Sequence, residues 1–308
     1  MTTEKESGAQ DCIELFCVTD VNYIPHFAAL LKSIERNHKK VSVRVHVILD
    51  DVPKEHFDLV LSSVSNITIV PYHITEHEAL QLPPLLQISR ATYLRLIVEE
   101  VIGEDVERLL YLDIDIIVND CLIDLWNTDL EGMACAAVRD PGVSVEAFSK
   151  KYNLTGNGSY FNAGMLLLDM NLIRRSSVFS NALQLLLSSP NAYEFADQDA
   201  LNVMLWREWK SIDKSWNFQR GHLYDTSKQS PIDSSSESVP KVLHFTEQYK
   251  PWRTDEWHPF AWLYWRNLMF TKFFSDVRVE NKINYQRLAK FYLKYLWECK
   301  LSFKGRNV

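Results

Sequence analysis

Two carboxylates stand two residues apart inside an apolar run, "YLDIDIIV", at residues 111–118 of this 308-residue chain. An ionised carboxylate is costly to bury without a partner, so Asp113 and Asp115 need one. On a strand, side chains at i and i+2 share a face. Both groups can therefore converge on one point, where they repel unless a cation or a shared proton intervenes. A divalent cation is the economical answer, and carboxylate oxygens joined by an imidazole suit Mn²⁺ or Mg²⁺. A lone DxD triplet leaves a plain alternative open, in which one aspartate caps a turn and the other is solvated at a strand end.

Three further stretches carry groups of the right kind. "VTDVNY" (18–23) offers Asp20, and "FNAGMLLLDM" (161–170) offers Asn162 and a glycine that permits close backbone approach. "HFTEQYKPW" (244–252) offers His244 and, six residues on, Lys250, an ammonium suited to phosphate. Each residue also has a structural reading. Asp197 in "DQDALN" could cap a helix, His244 could be a core histidine bonded to backbone, Arg95 a helix-surface charge, and Tyr23 a packing residue.

The elements that must position these groups alternate. Apolar runs at 13–18, 41–49, 67–72 and 108–118 read as strands, and residues 25–37, 52–64 and 89–102 have helical spacing. Alternation of this kind predicts βαβ units and a mostly parallel sheet with helices on both faces. Residues 160–170 and 241–246 read as further strands, 197–206 as a helix, and the Ser-rich 225–238 as a loop. The polar groups above fall at predicted strand ends, and in open parallel sheets ligands bind beyond the carboxyl ends of the strands. There is no GxGxxG and no GxxxxGK[ST], which excludes the dinucleotide fingerprint and the Walker-type phosphate loop.

No run of 18 apolar residues is present, so no membrane-spanning helix is expected. Residues 1–12 read as a disordered polar tail without the layout of a secretion signal. The five scattered cysteines, with no CxxC pair, read as reduced thiols of a cytoplasmic protein. Net charge is −7, unevenly spread: residues 271–308 hold nine Lys and Arg against three Asp and Glu, leaving −13 on the remainder. From residue 283, Tyr285, Leu288, Tyr292, Tyr295 and Cys299 recur at helical spacing beside a stripe of Arg287, Lys290 and Lys294. Such a helix either packs on the domain with a solvated basic face or docks on an anionic membrane.

In order, "TDVNY", "ATYLRL", "YLDIDIIV", "YFNAGMLLLDM", "DQDALN" and "HF…KPW" give the chain a resemblance to glycosyltransferase family 8, over roughly residues 13–265. It resembles most the bacterial α-galactosyl- and α-glucosyltransferases that build lipopolysaccharide or lipooligosaccharide. The resemblance implies an α/β GT-A fold, a single Rossmann-like, mostly parallel sheet flanked by helices, with residues 266–308 as a basic, aromatic C-terminal helical region. It implies retaining transfer of galactose or glucose from a UDP-hexose to a glycan or glycolipid acceptor, using Mn²⁺ or else Mg²⁺. It implies a cytoplasmic enzyme held at the inner face of the membrane by that C-terminal region, with no nucleic-acid partner.

Carried over residue by residue, Asp113, Asp115 and His244 would hold the metal. Val18, Thr19, Asp20, Asn22, Tyr23 and Ile114 would bind the nucleotide, with the ring of Tyr23 on uracil, and Lys250 would contact the diphosphate. Arg95, Asn162, Asp197 and Gln198 would hold the donor sugar, and Asp140 the acceptor. Gln198 is the family's residue nearest the anomeric carbon; an amide is a poor nucleophile, so same-face substitution is expected, with Asp197 as the fallback nucleophile. One departure is Glu247, where the family places glycine. Two other classes stay in view: a DxD phosphatase, disfavoured by Ile117 four residues after Asp113, and a UDP-sugar or glycan binding module without catalysis.

Overall fold

The computed structural model describes residues 12–83, 90–224, 240–246, 250–253 and 258–297. The expected N-terminal tail apart from its last residue, the Ser-rich stretch, Glu247 and Cys299 lie outside the described residues.

Among the described residues ten strands form: β1 Ile13–Asp20, β2 Val43–Asp50, β3 Thr68–His73, β4 Arg108–Leu112, β5 Ile116–Val118, β6 Cys135–Arg139, β7 Phe161–Asp169, β8 Trp209–Ser211, β9 Phe218–Gln219 and β10 Val242–His244. Seven make one sheet in the order β3-β2-β1-β4-β7-β6-β8. Its β1–β2, β2–β3, β1–β4 and β6–β8 pairs are parallel, while β7 runs antiparallel to β4 and β6. The sheet is thus mostly parallel, as expected. β1, β2 and β7 are buried along almost their whole length because both faces are covered, which is why they read as continuous apolar runs. One apolar cluster lies on each side: Leu15, Val45 and Leu110 with the helix Ile24–Asn37, and Phe16, Ile48 and Tyr111 with the helix Val178–Ser188.

A second sheet, β5-β10-β9, stands beside the first, and it corrects the reading of "YLDIDIIV" as one strand. β4 ends at Leu112, and β5, beginning at Ile116, pairs antiparallel with β10. Between them the Asp113 amide donates to the Gly164 carbonyl (2.8 Å) and the Asp115 carbonyl accepts from the Phe245 amide (3.0 Å). The two aspartates therefore occupy the crossover from one sheet to the other. Strand alternation does not make them converge; the crossover does.

Two other expectations need correction. Of the expected helix at 89–102, the described part is a 3₁₀ helix, Arg90–Ile97, followed by one short α-turn, Val98–Val101. Tyr93, Leu94, Arg95, Leu96, Ile97 and Val98 are all buried, so these six residues present no solvent face and Arg95 is not a surface charge. The basic helix, Tyr285–Tyr295, buries Leu288, Phe291 and Tyr295, while Tyr285 and Tyr292 are exposed. Its buried stripe joins the cluster that holds Tyr264 and Trp265, so the helix is rotated relative to the stripe read from the sequence.

Candidate active site

Strand ends and the inter-sheet crossover bring the chemistry together. One ligand atom from each of Asp113, Asp115 and His244 lies within 4.8 Å of the others. His244 ends β10 and is 4 % exposed; its Nε2 lies 3.2 Å from Asp115 Oδ1 and 3.6 Å from Asp113 Oδ2. It is a buried histidine bonded to a side chain, its Nδ1 lying 3.0 Å from Asn217 Oδ1. Close approach depends on Gly164. A Cβ there would stand 2.1 Å from His244 Cε1 and 2.7 Å from Asp113 Oδ2. Its φ is not in the left-handed region, so the glycine supplies space rather than backbone freedom.

These residues fit a divalent cation by donor type and by spacing. Two carboxylates and one imidazole converge, and a cation between them relieves the repulsion that otherwise opposes their approach.

Arg95 is the buried counter-charge on the other side. Its Nη2 lies 3.1 Å from Asp113 Oδ1, its Nε lies 2.6 Å from Asp197 Oδ2, and its Nη1 donates to the Ala163 carbonyl at 3.0 Å. The guanidinium also rests 4.7 Å from the centre of the Tyr111 ring, whose hydroxyl donates to Asp113 Oδ1 at 2.5 Å. Burial pushes the Asp197 carboxyl up to about 6, against the downward pull of Arg95. Asp197 sits in the first turn of the helix Ala196–Met204, whose N-cap is Phe195, so the capping reading of Asp197 does not hold.

Lys250 pairs with Asp115 Oδ2 and donates to the Phe245 carbonyl at 2.7 Å. Burial opposes the charge of both partners. Even so, Lys250 and His244 hold Asp115 well below the carboxylate range, and Asp115 holds the Lys250 ammonium above its ordinary value.

At the end of β1, Val18 and Thr19 are buried, and Asp20 Oδ1 accepts from the amides of Asn22 (2.9 Å) and Tyr23 (3.1 Å). That turn launches the helix Ile24–Asn37, with Pro25 in its first turn. Asn22 and Tyr23 then line a cavity of about 210 Å³ with His26, Trp252 and Arg253. The ring of Tyr23 is edge-on to His26 and Trp252, 5.5 and 6.2 Å between centres. Ile114, between the two aspartates, is buried.

The remaining expected residues form an amide network. Gln198 Oε1 accepts from the Ala163 amide (3.0 Å) and from Asn162 Nδ2 (3.2 Å), while its Nε2 donates to Tyr160 Oη (3.1 Å) and Asp140 Oδ2 (3.3 Å). Asp140 Oδ2 also accepts from Asn162 Nδ2 at 3.1 Å. All the expected residues thus lie in two adjoining clusters, one at the end of β1 and one around the crossover. Sequence reasoning missed Tyr111, Tyr160 with Asp199, whose Oδ1 accepts from the Tyr160 hydroxyl at 2.6 Å, and Asn217. Tyr111 had a signal, two residues before Asp113 on a strand. Asn217 had none, since nothing short of the fold places it against His244.

The sequence model of glycosyl transferase family 8 matches residues 14–256. The chain belongs to glycosyltransferase family 8. Among its relatives, lipopolysaccharide 1,2-glucosyltransferase of Escherichia coli is 28 % identical over 252 residues, 80 % of this chain and 74 % of the relative. Glycosyltransferase GlyF of Streptococcus pneumoniae is 28 % identical over 277 residues, 86 % of this chain and 65 % of the relative. Among solved structures, the galactosyltransferase LgtC in complex with donor and acceptor sugar analogs superposes with a TM-score of 0.73 at 25 % identity, covering 84 % of this chain and 96 % of that one. The α/β architecture is that of the GT-A glycosyltransferases, as expected. Family membership removes the ground for the DxD phosphatase reading.

Proposed function

We propose that this family 8 enzyme is a retaining transferase that moves a hexose from a UDP-sugar to a glycan or glycolipid acceptor. The observation that carries the reading is the convergence of Asp113, Asp115 and His244 within 4.8 Å. Mn²⁺, or else Mg²⁺, would be held by these three, and when bound it supplies Lewis-acid neutralisation of charge growing on the leaving UDP.

The chain's own groups do the rest. Lys250, buried beside Asp115, adds a positive charge for the diphosphate. Tyr23 and Asn22, at the end of β1, offer a ring and an amide to the uridine, with Val18, Thr19, Asp20 and Ile114 shaping the nucleotide site. Arg95, Asn162, Asp197 and Gln198 surround the sugar, and Asp140, bonded to Gln198, faces the acceptor. Gln198 would stabilise an oxocarbenium-like centre while the leaving phosphate takes the acceptor proton. Asp197 is paired with Arg95 at 2.6 Å, which supports same-face substitution over attack by that carboxylate. The test is the anomeric configuration of the product, by NMR, from a panel of UDP-hexoses: an α-linked product is expected, and a β-linked product overturns the retaining reading.

The kinship with a lipopolysaccharide glucosyltransferase supports a role in building cell-surface glycans. No helix among the described residues is long and apolar enough to cross a membrane. Residues 266–308 would instead attach the enzyme to an anionic membrane at its cytoplasmic face. Support comes from the helix Tyr285–Tyr295 and its end, where Tyr285, Leu293 and Trp297 are 67 %, 61 % and 71 % exposed beside Lys290.

A further inference from the structure

Hydrogen-bond polarity can be traced from two backbone amides into the candidate metal site. A backbone N–H is a donor and nothing else. The Gly164 amide lies 3.0 Å from one terminal atom of Asn162, which must therefore be the oxygen, Oδ1. That oxygen also faces an atom of Asn217 at 3.0 Å, which must then be the amide nitrogen, Nδ2. The other terminal atom of Asn217 is its oxygen, 3.0 Å from His244 Nδ1. An oxygen only accepts here, so Nδ1 carries the proton and its partner nitrogen, Nε2, is directed at Asp113 and Asp115.

The Ala163 amide fixes Gln198 Oε1, and the NH₂ group of Asn162 meets that oxygen at 3.2 Å. Asn162 therefore joins the two ends: its nitrogen is committed to Gln198 and Asp140, its oxygen to Gly164 and Asn217. Asn217 is fully buried and Asn162 nearly so, leaving no solvent to relax these assignments.

We propose that Asn217 is the positioning residue of the metal site. It holds His244 in the Nδ1–H state, so that Nε2 is the nitrogen available to a metal, and through Asn162 it ties that ring to the orientation of the Gln198 amide. Asn217 touches neither donor nor acceptor in this role. A metal-ligating histidine ordinarily has its second nitrogen bonded to a carboxylate, a carbonyl or water; here a buried amide supplies that partner. The inference rests on the metal reading above only for its consequence, since the protonation of Nδ1 follows from the hydrogen bonds alone.

The experiment has two arms. In the first, ¹⁵N-histidine-labelled wild-type protein without metal is studied by long-range ¹H–¹⁵N NMR, with His244→Gln used to assign the ring. A protonated Nδ1 on His244 is expected, and an unprotonated Nδ1 overturns the proposal. In the second, Mn²⁺ binding is measured by EPR. Asn217→Leu removes the acceptor and is expected to bind about 10- to 100-fold more weakly. Asn217→Asp keeps an acceptor for Nδ1–H but gives up the donor to Asn162 Oδ1, and is expected to recover part of the affinity. Wild-type affinity in Asn217→Leu overturns the proposal, as does equal loss in both variants when both remain folded. Absence of Mn²⁺ binding by the wild type counts against the metal reading instead, and the NMR arm then decides the state of His244 alone.

Discussion

Gly164→Ala tests the geometry of the site with the smallest change available. The new Cβ would lie 2.1 Å from His244 Cε1, where ordinary contact begins near 3.4 Å, so the imidazole has to retreat by more than an ångström. It cannot swing freely, because its Nδ1 is bonded to Asn217 and its neighbour Phe245 is hydrogen-bonded to Asp115. Overpacking of this kind costs about 1–3 kcal/mol of stability. Misplacing a reacting or ligating group by about 1 Å costs on the order of 100-fold in function. Mn²⁺ affinity by EPR and UDP release from UDP-sugar are therefore expected to fall about 100-fold, with a melting temperature lowered by a few degrees, as about 1 kcal/mol shifts a domain of this size by roughly 2–4 °C. Gly132→Ala is the control. Gly132 has φ +78° and open space around it, so alanine there strains the backbone without touching the site. Wild-type metal affinity and activity in Gly164→Ala would refute the reasoning, as would equal functional loss in Gly132→Ala.

Arg95→Met leaves Asp113 and Asp197 without their shared buried cation, and unfolding by denaturant is expected to show a loss of about 3–5 kcal/mol; a loss under 1 kcal/mol contradicts the pairing. Burial lowers the imidazoles of His26 and His258 to about 3, so both are neutral in the fold while an unfolded histidine titrates near 6.5. The unfolded chain then binds protons first, so the stability is present above pH 6.5 and is lost as pH falls toward 3. Each contributes about 1.4 kcal/mol per pH unit in that window, and denaturant melts at pH 7.5 and 5.5 that differ by less than 1 kcal/mol contradict this. Lys290→Glu combined with Trp297→Glu is expected to weaken binding to anionic vesicles by about tenfold or more while leaving UDP release in solution unchanged; unchanged flotation with such vesicles sinks the membrane proposal.

How far the sequence reached can be seen in particular residues. The strands β1 and β7 were legible because burial on both faces leaves an unbroken apolar run. His244 was legible through its setting in "HF…KPW", and it does face the two aspartates. The break at Asp113 was not legible, because a strand and a crossover between two sheets look alike when both are apolar. The pairing of β5 with β10 that separates them is made with residues more than 120 positions away. The 3₁₀ segment at Arg90–Ile97 was misjudged because apolar spacing does not distinguish a buried 3₁₀ helix from an α-helix, and its burial comes from packing rather than from a pattern. The basic helix was found, but its rotation was not. Aromatic residues on both sides of it left the buried stripe ambiguous, and Phe291, not Tyr292, won the core position. Asn217 was invisible because its role depends on a chain of contacts through Asn162 to Gly164.

The central claim is that Asp113, Asp115 and His244 hold a divalent cation on which sugar transfer from a UDP-hexose depends. UDP release from a panel of UDP-sugars, measured for wild type and Asp113→Ala with Mn²⁺, with Mg²⁺ and with chelator, tests it most directly. The account predicts release by the wild type with metal, abolition by chelator, and a fall of about 100-fold or more in Asp113→Ala. Undiminished release in chelator, or undiminished activity in Asp113→Ala, would contradict it.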